Sequence, residues 1–388
     1  MGFLSGSVTY SRFRIVGGGP KRLDDHLLDK LREHTIGGRR FMWSDHEEIG
    51  WVGGQHLLDR EFDLEKNVIL DALHFGLRID AGRVPPELMR AYVEMEWQAL
   101  RAEEPNVSGK RFARLRKQAQ EAARRRAERE LKDGRFCRQR QFPMLLDPRC
   151  DMLFVGATQP AVHERLYPLF KETFGKRLEP LTAGVLAAEQ AEARGVARAV
   201  EQARASPFVD PPREGAEWFW TTHDPAARDF LGNEFLLWLW HTLAEESDTI
   251  QLPDHSTAAV MISDQLTLEC PWGESGREVI TSECPAALPE SLRAIRSGKL
   301  PRKAGLTLAR GEEQFAIKLQ AETLAVSGGV LPKAEAGGEL RARQEERLEQ
   351  IRRLTEAVDL LYGAFLARRL SSAWGQHLDR IKGWLRRG

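Results

Sequence analysis

Pro85 to Lys132 reads PPELMRAYVEMEWQALRAEEPNVSGKRFARLRKQAQEAARRRAERELK, and two periodicities in it decide the architecture. Pro85-Pro86 suits a helix start, because proline is tolerated in the first turn. Leu88, Met89, Tyr92, Val93, Trp97 and Leu100 then follow helical spacing up to a stop near Pro105-Asn106. Ser108 is placed to cap a second helix running to about Lys132. That helix is expected to be roughly 35–40 Å long at ~1.5 Å per residue. Its apolar stripe is thin: Phe112, Leu115, Ala119, Ala123, Ala127 and Leu131. A narrow stripe suits one partner helix, with the remainder in water. The pair is expected to form a helical hairpin that projects from a body.

On either side the texture is α+β. Upstream, Ser7 to Val16 alternates as a strand, Leu23 to Glu33 reads as a short helix, Phe41 to Val52 is mixed, and Asn67 to Asp80 reads as one or two strands. Downstream, the α+β texture returns at Phe142, with a strand over Asp151 to Ala157 and a helix over His163 to Phe174 closed by Gly175. Ala183 to Arg204 reads as an Ala- and Glu-rich helix, with the character of a mobile linker, before a proline-rich break at Pro207 to Pro212. Phe230 to Leu243 reads as an apolar helix with Trp238 and Trp240 packed in a core. Ala258 to Cys270 and Leu306 to Val326 alternate like antiparallel strands, the latter turning at Gly311-Glu312. Beyond Gly337-Gly338, Leu340 to Leu366 keeps a helical period. The expected fold is therefore an elongated α+β chain with antiparallel sheets, a projecting helical-hairpin arm and a C-terminal helical region. Its parts are a central α+β domain (1–82 and 142–181), the basic arm and tip (83–141), a helical insertion or linker (182–256) and a C-terminal α+β base domain (257–388).

Charge narrows the function classes. The chain has 57 Lys+Arg and 57 Asp+Glu, so any nucleic-acid site must come from where the charges sit. They sit on the arm: Lys110, Arg111, Arg114, Arg116, Lys117, Arg124, Arg125, Arg126, Arg129, Lys132, Arg135, Arg138 and Arg140 are opposed only by Glu121, Glu128, Glu130 and Asp133. A positive stripe on a long helix is what neutralisation of a phosphate backbone needs. A solvated or ion-paired face is the competing reading, since Glu121 and Arg125 lie at i,i+4 spacing. Arginine outnumbers lysine, which suits bidentate phosphate contacts. Few aromatics interleave, so stacking on single-stranded bases is not expected.

Catalytic candidates are sparse. Asp45, His46, Glu47 and Glu48 cluster as an imaginable metal site or a polar turn. His223-Asp224 and Asp254-His255 read as turns or caps. Ser108-Gly109-Lys110-Arg111 and Ser297-Gly298-Lys299-Leu300 lack the phosphate-loop frame, and Gly17-Gly18-Gly19 lacks dinucleotide-binding spacing. Cys137, Cys150, Cys270 and Cys284 form neither a CxxC pair nor a Cys/His ligand spacing. The expectation is no catalytic residue, no metal and no cofactor, in a cytoplasmic protein without secretory signal or membrane span. Arg380, Lys382, Arg386 and Arg387, near Trp374 and Trp384, form a basic end that could touch DNA or lipid.

The chain also resembles a family. Ile49-Gly50-Trp51-Val52, a following strand, Gly82-Arg83-Val84-Pro85-Pro86 and the helical pair resemble the bacterial recombination-associated protein RdgC family. So does Leu131-Lys132-Asp133-Gly134-Arg135-Phe136-Cys137-Arg138, where the family carries a Leu-Pro-Arg-Ala-Phe-Ser-Arg-type motif. Phe136 and Arg138 match that motif, the proline is missing, and Arg135 is displaced by one place. Leu146-Asp147 with the strand and helix ending at Gly175 is similar too, as is Ile295 to Lys303, where Lys299 and Lys303 match a Gly-Lys-x-x-x-Lys element. Thr182 to Ser256 departs from the family. The resemblance implies a non-enzymatic, ring-shaped homodimer that encircles double-stranded DNA with little sequence preference. It further implies nucleoid association and restraint of RecA or another recombination protein. Phe136 would then lock an arm-to-arm contact, and Arg138, Lys299 and Lys303 would face the DNA.

Two rival readings stand beside it. One is a scaffold or regulatory subunit of a phage-defence or mobile-element complex, binding protein through the arm and the Trp-rich segment. The other is a nuclease using the Asp45 to Glu48 cluster.

Overall fold

The computed structural model describes residues 2–38, 41–44, 46–104, 108–208, 227–272, 276–333 and 339–387. Strand β1 (Val8–Ile15) organises everything else, because it is paired on both sides. On one side it meets β7 (Met152–Val155), in register Ser11 to Val155. On the other it meets β14 (Val326–Val330) at Val8 and Tyr10, and then the short β8 (Leu178–Pro180) at Phe13 to Ile15. From β7 the sheet continues through β6 (Cys137–Asp147), β5 (Ala72–Gly82), β3 (Glu47–Val52) and β2 (Phe41–Ser44), with β4 (Val68–Ile69) beside β5. From β14 it continues through β13 (Glu313–Gln320), β12 (Leu300–Arg310), β10 (Thr257–Glu269) and β11 (Glu278–Ser282), with β9 (Thr249–Gln251) beside β10. The result is one antiparallel sheet of 14 strands, so the expected central and base domains share a single β-structure.

Helices cover both faces of the N-terminal half, so β5 is buried on both faces over most of its length. Phe13, Phe75, Leu77, Met144, Leu153 and Val155 turn to one face and pack on α1 (Asp25–Glu33) and α5 (Pro160–Phe174). Gly175 closes α5 at φ 67°, the left-handed cap that glycine adopts without strain. Val8, Tyr10, Leu145 and Phe154 turn to the other face, under α10 (Leu340–Arg369). There Tyr10 Oη lies 2.9 Å from Thr355 Oγ1, and Arg12 grips Asp359 through two bonds of 2.7 Å. A short α2 (Leu64–Asn67) precedes β4.

Among the described residues of 182–256, the helices are packed and not a free linker. α6 (Ala183–Ala193) and α7 (Ala197–Glu201) bury Ala183, Leu186, Ala187, Ala191 and Val200 in the main core. Small alanines let helices approach closely, so an Ala-rich segment here marks packing. α8 (Phe230–Glu245) is buried over nearly its whole length, with Trp238 and Trp240 inside as expected. It lies so close to the turn after β13 that a Cβ on Gly232 would stand 1.9 Å from the Ala321 carbonyl oxygen. α9 (Pro289–Arg296) and α11 (Trp374–Arg386) complete this layer, and α11 buries Trp374, His377, Ile381 and Trp384. Among the described residues no helix is long and apolar enough to cross a membrane.

The remaining pair, α3 (Pro86–Glu103) and α4 (Lys110–Lys132), is inserted between neighbouring strands β5 and β6, whose ends pair Gly82 with Cys137. It has its own small core, separate from the other two. The arm is thus an enlarged hairpin turn, and strand β6 begins at Cys137, earlier than the expected return at Phe142.

Candidate nucleic-acid interface

The arm is held by a narrow seam. Ala119, Ala123 and Ala127 are fully buried on α4, with Leu115 beside them, so the expected stripe is real and α3 is its partner. Tyr92 of α3 fills the space those alanines leave. Its hydroxyl donates to Glu130 Oε2 at 2.6 Å, and the Arg126 guanidinium lies 4.4 Å from its ring centre. That hydrogen bond, with Arg126 and Arg135 nearby, holds the Glu130 carboxyl below its usual range. Near the other end Trp97 and Phe112 meet edge to face at 4.9 Å. Gly109, not Ser108, occupies the N-cap position of α4, and no side chain caps it.

Outside the seam, α4 is cationic along its length. It carries ten Lys or Arg against three Glu. Arg111 pairs with Glu104 at 2.8 Å, and Glu130 takes Arg126 at 3.4 Å and Arg135 at 4.0 Å. Lys110, Arg114, Arg116, Lys117, Arg124, Arg125, Arg129 and Lys132 are exposed and have no acidic partner among the described residues. The Glu121–Arg125 pairing of the competing reading is not among the ion pairs of the arm's described residues. Lys110, Arg114, Lys117, Arg124 and Lys132 recur at helical intervals along the back, interrupted by Glu121 and Glu128.

Arg138 and Arg140 stand on β6, at the foot of the arm, and not on the arm itself. Alternation along the strand sends both to one face. With Arg83, Arg165 and Glu47 they line a cleft of about 400 Å³. Arg165 is held by Glu47 at 2.9 Å, whereas Arg83, Arg138 and Arg140 are exposed. Arg83 was not a candidate from sequence: it lies outside the basic run, and the Gly82–Cys137 register alone brings it to Arg138.

Phe136 lies between α4 and β6, at the foot of the arm. Its backbone is left-handed (φ 61°), its carbonyl accepts from the Arg83 amide at 3.2 Å, and its side chain is half-buried. Such a φ is uncommon for an aromatic residue and is set here by the strand return.

Several other candidates are otherwise engaged. Lys299 is buried and ion-paired with Glu278 on β11, so it is not a free phosphate contact. Lys303 is half-buried on β12, and burial, then Lys318 and Arg277, push its ammonium below the usual lysine range. Both lie several strands away from the arm. Of the acidic cluster, Asp45 lies outside the described residues, Glu47 binds Arg165, and Glu48 accepts from the Gly37 amide at 2.9 Å. Those carboxylates do not converge on a common point with His46, whose carbonyl takes the Gly82 amide. His223-Asp224 also lies outside the described residues, and Asp254 accepts from Ser256 in a turn as expected. At the C-terminal end Arg387 pairs with Glu245 at 2.8 Å and Arg380 stands 3.8 Å from Glu246, so this end is docked and not frayed. No protein-family model matches the chain, and no curated protein matches it either.

Proposed function

We propose that the chain is a non-enzymatic, largely sequence-independent double-stranded DNA-binding protein that grips phosphates with the exposed back of α4. The observation that carries this reading is the run of unpartnered cations along one projecting helix. The helix is 23 residues, about 35 Å at ~1.5 Å per residue. That matches roughly one turn of duplex, ~34–36 Å. Arg83, Arg138 and Arg140 at the foot extend the positive surface toward the sheet. Phosphate contacts position a protein without reading sequence. Affinity is expected to fall by ~10³–10⁵ between about 50 and 200 mM salt if six to ten phosphates are neutralised. A flat salt response in a fluorescence-anisotropy titration overturns the reading.

The finer proposal rests on the RdgC resemblance: two copies close a ring round the duplex and restrain RecA, with Phe136 at the arm contact. The half-exposed ring at the foot of the arm is compatible with a contact there. Phe136→Ser is expected to speed release from closed circular DNA more than from short linear duplex. Equal release from both at wild-type rates removes Phe136 from ring closure.

A further inference from the structure

Away from the arm, three side chains from two helices meet under the C-terminal layer. His241 sits near the end of α8, Glu246 follows that helix as its C-cap, and His377 projects from α11. His241 is 2% and His377 1% exposed. Their rings stand edge to face with centres 5.4 Å apart, walled by Trp384 and Trp374. His241 Nδ1 and both ring nitrogens of His377 are buried without a hydrogen-bond partner. A buried polar atom left unpaired forfeits its hydration with nothing in return, so three in one place call for an occupant. One ligand atom from each of the three residues lies within 4.8 Å of the others, and His377 Nδ1 is 3.8 Å from Glu246 Oε1.

We propose that His241, Glu246 and His377 form a binding site for a divalent transition metal of the zinc class. Two imidazoles and one carboxylate are a donor set zinc uses, leaving a fourth position for water. Hard cations such as magnesium and calcium want oxygen ligands and do not suit two nitrogens. Tetrahedral zinc with bonds of ~2.1 Å places its ligand atoms roughly 3.4 Å apart. Glu246 is the exposed member of the three, with the two histidines buried. Arg368 (3.2 Å) and Arg380 (3.8 Å) compete for the Glu246 carboxylate, and Glu245 is held by Arg387. Arg380 is 62% exposed and can turn into water when a cation arrives. The bound metal would tie α11 to the end of α8.

The test uses the full chain, stripped with chelator, in a background where exposed Cys137, Cys150 and Cys284 are serine. Zinc is titrated by calorimetry, and cobalt is titrated by its visible ligand-field absorption. The expected result is one ion per chain, unaffected by excess magnesium, with a tetrahedral cobalt spectrum. Glu246→Gln, at the surface, should weaken zinc at least about tenfold with the circular-dichroism spectrum unchanged. His377→Gln and His241→Gln should weaken it about a hundredfold or more, and Arg380→Ala should tighten it. Zinc bound equally by Glu246→Gln and the parent, or no stoichiometric binding in the background without exposed cysteines, overturns the proposal.

Discussion

Two long helices of this protein are rich in arginine, α4 and α10, and they use it in opposite ways. On α10 six of seven arginines are engaged by the body of the protein. Arg352 binds Asp147, Asp71 and Glu349, all within 3.0 Å. Arg369 reaches the fully buried Glu234 at 2.5 Å, and Arg353 takes Glu313 through two bonds. Arg368 binds Glu246, while Arg341 and Arg347 cap backbone carbonyls. On α4 most cations meet no acid at all. Composition alone does not separate the two helices. What separates them is whether the fold brings carboxylates to the arginines, and a projecting hairpin brings almost none. Exposed cations without partners repel one another, and a polyanion relieves that repulsion.

The sharpest way to break the comparison is to reverse the free row. Arg114, Lys117, Arg124 and Arg125 changed together to Glu should lower duplex affinity on the order of 10³-fold or more, because phosphate neutralisation supplies nearly all sequence-independent binding. The fold should persist, since surface charges cost little stability. Arg126 is left out because Tyr92 and Glu130 already hold it. Retained affinity, measured by anisotropy, would move the DNA site off the arm. On α10 the equivalent assault should strike stability instead. Arg369→Ala strands the Glu234 carboxylate with no side-chain exposure, and breaking a buried pair costs about 3–5 kcal/mol. Burial already pushes Glu234 above the usual carboxylate range in spite of Arg369, so the partner is a necessary one. Urea unfolding that shifts by less than about 1 kcal/mol would show that Arg369 is not what carries the buried charge.

The arm was the most legible part of the sequence because its signals are local. A thin stripe and a charge excess are both readable within one helix, and Leu115, Ala119, Ala123 and Ala127 are buried as their spacing predicts. The foot of the arm was not legible. Arg138-Gln139-Arg140-Gln141 continues the basic run, and only pairing with Arg78 to Ala81 on β5 makes it a strand. Lys299 looked like a surface cation in a Ser-Gly-Lys turn, yet Glu278 reaches it from a neighbouring segment of the sheet. Ala183 to Arg204 resembled a linker because alanine is neutral in any helical context; its burial depends on α8 and α10, which lie far along the chain. His241 and His377 have no ligand spacing for the same reason: two helices bring them together.

The smallest expected effect is the most discriminating control. Arg353 is 44% exposed, comparable to cations of the arm in access to solvent, and differs from them in holding Glu313 by bonds of 2.6 and 2.8 Å. If exposure alone recruited phosphate, Arg353→Ala would weaken DNA binding and lower the salt slope by about one. If the partner decides, the guanidinium is already neutralised where it stands, and affinity should stay within about twofold, roughly 0.4 kcal/mol. Stability should fall by no more than about 1 kcal/mol, as for an exposed pair. The companion variant Glu313→Gln frees Arg353 without moving it. Its duplex affinity should also be unchanged, because one isolated cation on the sheet side offers no row for a backbone to follow. A gain in affinity and salt slope on Glu313→Gln would mean that DNA passes over α10 as well, and the division between the two helices would fail.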